Sequence, residues 1–205
     1  MVMEFIANGS LNSRLQAKDE ILNYWVRIQI CIGVAKGINY LHTAFRTYLV
    51  HRDIKTDNIL LTEDYTPKIC DFGLSKILST RTDRDSTAIT ENIIGTRAYL
   101  PPEAYQKIIS RRFDVYCYGV VLLEIISGKS AFFSDKEGYR YLAGYFHYCY
   151  KHCKSKFPID ENANWPDDFV KRLTKLAKWC LMDNYKDRPY MDKIIANLIR
   201  IASKA

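Results

Sequence analysis

The chain has 205 residues, 48% of them hydrophobic and 26% charged, with a formal net charge of +7, enough for one or at most two domains around a sizeable core. Its basic residues are interspersed with acids and form no arm or long run, which argues against nucleic acid and anionic membrane as partners. The longest apolar stretch, Tyr116 to Ile126, contains Glu124 and is far shorter than the ~20 residues of a membrane helix, and Glu4 interrupts any secretory pattern, so a cytoplasmic protein without direct membrane insertion is expected.

From the amino terminus, Met1 to Ile6 is apolar around one acid and leads into the turn Ala7-Asn8-Gly9-Ser10 and the helical Leu11 to Leu15. A strand, a turn and a short helix are predicted. Apolar residues at Trp25, Ile28, Ile32, Ala35, Ile38 and Leu41 recur at helical period across Leu22 to His42. Gly33 and Gly37 lie inside that helix, where glycine is unfavourable, and mark close packing against a neighbour. Next comes His51-Arg52-Asp53-Ile54-Lys55-Thr56-Asp57-Asn58, which carries a carboxylate, a cation two positions on, and a carboxamide. Ile59 to Leu61 and Pro67 to Cys70 read as two short strands about the polar turn Thr62-Glu63-Asp64. They lead into Asp71-Phe72-Gly73, 18 positions after Asp53.

Between Leu74 and Ile94 the chain turns polar, with Ser79, Thr80, Thr82, Ser86, Thr87 and Thr90 among Arg81, Asp83, Arg84 and Asp85; on composition alone this is a mobile surface loop. It ends at Gly95-Thr96-Arg97-Ala98-Tyr99-Leu100-Pro101-Pro102-Glu103. Arg112 to Ser127 is hydrophobic nearly all round; its β-branched run would suit a strand, but its length and the Gly128 stop favour a buried central helix. Asp114 within it requires main-chain N–H donors if it is buried. Further helices are predicted over Tyr139 to Tyr150, Asp168 to Met182 and Met191 to Ala202, with starts at Asp167-Asp168 and Asp187-Arg188-Pro189. The six cysteines are scattered through apolar segments and read as reduced core thiols. Cys149 and Cys153 share a helix face and could offer soft metal ligands, but without a second ligand pair an ordinary amphipathic helix is the preferred reading.

Together, H-R-D-x-K-x-x-N and D-F-G at this separation resemble the catalytic half of a eukaryotic protein kinase. The pattern from Arg27 to Leu41-His42 resembles the branch holding the Pelle kinase, interleukin-1-receptor-associated kinases and plant receptor-like kinases; Trp179-Cys180-Leu181 and Arg188-Pro189 resemble the last kinase subdomains. The resemblance implies a mainly α fold with a few short β-strands, the C-terminal lobe of the protein-kinase-like fold, which is α+β overall. It spans 1–205, with a hinge at 1–10, a catalytic loop at 51–58, an activation segment at 71–103 and a helical remainder at 104–205.

The same resemblance implies a role for each matching residue. Asp53 orients the substrate hydroxyl and accepts its proton, Lys55 neutralises the moving phosphoryl group and marks serine/threonine specificity, and Asn58 and Asp71 ligate Mg2+. Glu4 and Ile6 meet adenine through their main chain, with Met3 as gatekeeper, Ser10 near the ribose and Leu60 beneath the base. His51 and Phe72 join a hydrophobic spine. A phosphate on Thr87 or Thr90 pairs with Arg52, with Glu91 as a possible charge mimic; Thr96 contacts the catalytic loop. Asp114 is held by main-chain N–H groups of the catalytic loop, and Arg188 forms a buried ion pair with Glu103. Pro101 departs from the usual alanine of A-P-E.

The 205 residues contain no G-x-G-x-x-G loop, no V-A-I-K lysine and no partner helix glutamate. The expectation is therefore an ATP- and Mg2+-dependent protein serine/threonine kinase, present as a fragment, which acts on Ser/Thr of protein substrates in intracellular immune or receptor signalling. A receptor or adaptor complex would form through the missing regions, and the surface meeting the small lobe would be apolar. The alternative is a truncated, catalytically inactive interaction module.

Overall fold

The computed structural model describes residues 4–45, 47–78, 87–132, 138, 140–152 and 157–203. Its helices are α1 (Leu11–Gln16), α2 (Tyr24–Thr43), α3 (Arg111–Ser127), α4 (Leu142–His152), α5 (Asp167–Cys180) and α6 (Met191–Ala202). Its strands are β1 (Tyr48–Val50), β2 (Ile59–Leu61), β3 (Pro67–Ile69), β4 (Lys76–Leu78), β5 (Ala88–Ile89) and β6 (Ile108–Ile109). The strands pair antiparallel as β1 with β4, β2 with β3, and β5 with β6. The mainly helical kinase-lobe fold expected from the sequence is the fold observed.

Local chemistry sets the helix starts. The Ser10 hydroxyl accepts from the Ser13 amide, Asn23 Oδ1 from the Trp25 and Val26 amides, and Ser110 Oγ from the Arg112 amide; each satisfies a first-turn N–H that has no helical acceptor. α3 ends where Gly128 takes φ 67°, a left-handed cap that glycine adopts without steric cost.

α3 forms the centre of the core, with every residue from Arg111 to Ser127 buried. α5 crosses it at Gly119, where an added Cβ would lie 2.9 Å from the Cβ of Cys180 and from Cγ of Leu181. α2 packs on α3, α6 and β3. Its Gly33 lies against the Pro67 ring and its Gly37 against Ile69, the close packing that these two glycines announce in the sequence.

Several boundaries differ from expectation. Residues 4–6 form no strand; the backbone pairing instead begins at Asn8 and Gly9, whose N–H and C=O bond Leu61, and continues in a bridge from Ser10 to Leu60. α4 starts at Leu142, and α5 stops at Cys180, short of Met182. α6 spans Met191–Ala202 as expected, with Tyr190 rather than the Asp187-Arg188-Pro189 signal as its cap: Pro189 has no N–H to donate and biases Arg188 to an extended backbone, φ −72° and ψ 149°. β1, β4, β5 and β6 were not anticipated. Cys31, Cys117 and Cys180 are buried free thiols, Cys149 is buried, and Cys70 is half-buried; Cys153 and Met3 lie outside the described residues.

Candidate active site

The loop after β1 hangs from the buried helix α3. Asp114 Oδ2 accepts the His51 amide at 2.9 Å, Oδ1 accepts the Arg52 amide at 2.9 Å, and His42 Nε2 lies 2.8 Å from Oδ2. Arg52 sits at φ 68°, a conformation unfavourable for a side-chain-bearing residue and held here by the Asp114 bond. The loop is thus bent around a fully buried carboxylate.

On the outer side of that bend three groups converge on Asp53. Thr96 donates its hydroxyl to Oδ1 at 2.8 Å, while Lys55 Nζ at 2.9 Å and Asn58 Nδ2 at 3.0 Å meet Oδ2. Lys55 also donates to the Thr96 hydroxyl at 3.0 Å, so the two clamp one carboxylate from both sides. Partial burial pushes the Asp53 carboxyl up, but the bonds from Lys55, Thr96 and Asn58 outweigh it and hold the group below the usual carboxylate range. Asp53 is therefore ionised and oriented, a good hydrogen-bond acceptor and a weak base.

Asn58 spends its amide nitrogen on Asp53, through both the side chain and the main-chain oxygen, so its carbonyl oxygen points elsewhere. Asp71 is exposed, in left-handed conformation at φ 63°, with Oδ1 accepting the Gly73 amide. The Cys70 amide bonds Asn58 O at 2.9 Å and so joins the two segments. These hard oxygens suit Mg2+, which keeps water and phosphate oxygens in its remaining positions. Among the described residues no group of three His, Cys, Asp or Glu could hold a metal unaided. His51 Nε2 lies 3.1 Å from Cys70 O, and its ring packs 4.9 Å from that of Phe72.

Of the residues expected at the nucleotide, Ser10 and Leu60 are bridged, Ile6 is half-buried, and Glu4 is exposed and ion-paired to Lys68 at 2.7 Å. Among the regulatory candidates, Thr87 is exposed before β5, whereas Thr90 lines one small cavity with Arg52. Arg52 Nε donates to Leu74 O. Thr80, Thr82 and Ser86 lie outside the described residues. Glu103 and Arg188 form a two-pronged buried ion pair at 2.6 and 2.7 Å, and the Arg188 guanidinium lies 4.9 Å over the Tyr116 ring.

Three contributors escaped the sequence reading. Arg27, fully buried in α2, bonds Leu22 O, Ile125 O and Asp160. His42 supports Asp114. Glu124 receives Thr56, Tyr99 and the Ala131 amide. A charged or imidazole side chain at an otherwise apolar helix position was the available signal for all three.

A buried helix that suspends a catalytic-type loop, with one clamped carboxylate opposite an Asp-Phe-Gly turn, defines the phosphotransferase lobe of a protein kinase. The model of the protein kinase domain matches residues 1–198, and the chain belongs to that family. Relatives include a G-type lectin S-receptor-like serine/threonine-protein kinase of Arabidopsis thaliana, 35% identical over 97% of the chain and 24% of that protein. Wall-associated receptor kinase-like 4, also of Arabidopsis thaliana, is 37% identical over 100% of the chain and 27% of its own length. LysM domain receptor-like kinase 10 of Oryza sativa subsp. japonica is 34% identical over 99% of the chain and 35% of its own length. The chain thus spans about a quarter to a third of these relatives. Among the described residues no helix is long and apolar enough to cross a membrane.

Proposed function

We propose that this chain is the large-lobe part of a protein serine/threonine kinase that transfers the γ-phosphoryl group of ATP to Ser or Thr of protein substrates. The observation that carries this reading is the Asp53 clamp by Lys55, Thr96 and Asn58. Phosphoryl transfer passes through a loose transition state with little bond formation to the acceptor, so a carboxylate that orients the hydroxyl serves better than a strong base. The depressed Asp53 carboxyl fits that need.

Lys55 stands beside Asp53 as the cation to meet charge on the moving phosphoryl group. Asn58 and Asp71 supply oxygens for Mg2+, which when bound neutralises the phosphates. Ser10 and Leu60, bridged at the edge of this cluster, form the floor for adenine and ribose, with Glu4 and Ile6 of a hinge at 1–10 above them. We read 51–58 as the catalytic loop and 71–103 as the activation segment, with Thr90 the favoured phosphorylation site because it shares a cavity with Arg52. Phe5, Phe72 and Ile77 are exposed on the segments around the cluster, which supports a further lobe, carried by upstream sequence, that covers them. That the relatives are receptor-like kinases supports a cytoplasmic role beneath a receptor, in a receptor or adaptor complex.

The test is phosphate transfer from Mg-ATP by a form extended with the upstream sequence of the gene, set beside its Asp53→Asn variant. The expected result is transfer by the former and a loss of at least about a hundredfold in the variant, with nucleotide affinity retained. Equal loss of nucleotide binding would refute the Asp53 role. Inactivity of the extended form with a folded site would favour a non-catalytic interaction module.

A further inference from the structure

α5 and α6 border a cavity of about 300 Å³ that the transfer chemistry does not use. Its floor is apolar, with Leu176 and Ile201 each 4% exposed. Trp179 lines it too, and its indole N–H donates to Asp187 O at 3.1 Å, which fixes the ring while 39% of the residue stays open. Arg172 and Lys175 of α5 and Arg200 of α6 supply the charge, and among the described residues no Asp or Glu lines the cavity.

Each cation is lightly held. Arg172 bonds Asp168 at 2.7 Å, one turn back along α5, in a pair whose carboxylate is 60% exposed. Arg200 donates to the Asn197 side chain at 2.8 Å, and Lys175 has no side-chain partner among the described residues. Surface contacts of this kind exchange partners at little cost. Three like charges around one concavity repel each other and gain from an anionic occupant. They stand on both helices, Arg172 and Lys175 on one and Arg200 on the other, so they match several carboxylates along a segment better than one compact phosphate. Arg also offers carboxylates a planar two-pronged fork.

We propose that the α5–α6 groove docks an acidic peptide segment of a protein partner. One apolar side chain of the segment sits on Trp179, Leu176 and Ile201, and Asp or Glu side chains beside it pair with Arg172, Lys175 and Arg200. A cavity of this volume, at the lower bound of small-molecule sites, takes one such side chain. The basic residues of the chain form no long run, the continuous track that a nucleic-acid strand needs. No lining residue belongs to the 51–58 loop or the 71–103 segment, so docking recruits the partner without altering transfer, and the proposal does not rest on the kinase reading.

The experiment measures the fluorescence anisotropy of a labelled peptide, one Leu flanked on both sides by Glu and Gly, with the upstream-extended form at low salt. It should bind at least about tenfold tighter than the same peptide with Gln for Glu, and added salt should weaken it. Lys175→Glu and Arg200→Glu should each cost about tenfold, with denaturation midpoint and phosphate transfer unchanged. Trp179→Ala should erase the preference for Leu over Ala at the central position, and Trp179→Phe should keep it. No binding, equal binding of the Glu and Gln peptides, or indifference to the charge reversals overturns the proposal. So does a peptide with one phosphoserine and no Glu that binds as tightly, which would assign the cations to a single phosphate. A single-stranded oligonucleotide or phosphatidylserine vesicles that bind more tightly than the peptide, and lose binding on Lys175→Glu, would assign the groove to nucleic acid or lipid and also overturn it. Absence of phosphate transfer in every form would strike the kinase reading alone.

Discussion

Glu124 concentrates several relationships of the candidate site in one side chain. Burial raises its carboxyl to about 7, against hydrogen bonds from Tyr99, Ala131 and Thr56 that pull it down. A carboxyl whose folded value lies above its unfolded 4.5 binds more protons in the folded state, so stability is fullest below 4.5 and falls as pH rises through about 7. The decline should be at most about 3 kcal/mol. Glu124→Gln keeps the Ala131 acceptor, can donate to Tyr99 and has nothing to titrate, so its denaturation midpoint should be flat over this window while that of the wild type drops. A wild type equally flat would mean that Glu124 stays ionised throughout. Asp53 acts with the opposite sign, because its depressed carboxyl contributes stability that is lost as pH falls below the ordinary aspartate value. The two windows therefore do not overlap.

Among the elements, the contact of α3 with α5 depends on a missing side chain. Gly119→Ala would gain about 1 kcal/mol of helix propensity but set a methyl 2.9 Å from the Cβ of Cys180, an atom fixed to its own backbone. Overpacking of this kind costs roughly 1–3 kcal/mol, so a lowered denaturation midpoint is expected, and a raised one would show that α5 can shift freely. Gly119 was legible in the sequence only as part of an apolar run; its reason lies at Cys180, 61 residues on. The same distinction holds across the molecule. α2, α3 and the 51–58 loop were legible because their signals are local: a repeating apolar face, or polar groups at fixed spacing within one turn. β1 and β4 are three residues each, paired across 30 positions as Tyr48 with Leu78, and no short window contains both. Likewise Asp53, Lys55 and Asn58 could be read as one cluster, while the arrival of Thr96 rested on resemblance, and the roles of Tyr99 and Glu124 needed the folded chain.

For the whole molecule, α3 is more than the centre of a core. It bears Asp114 in its first turn and Glu124 in its last, roughly 15 Å apart along the axis at helical rise. One carboxylate holds the 51–58 loop from behind, and the other joins that loop to Tyr99 and to Ala131. The site therefore has little freedom to loosen while the core stays intact. The amide protons of His51 and Arg52, although they belong to a loop, are bonded to a fully buried acceptor. In deuterated water they should be replaced only when the entire chain opens, at rates matching those of mid-α3, whereas the exposed turn at Asp64 exchanges early. Uptake of deuterium at those two positions would then serve as a clock for global unfolding read from within the candidate site.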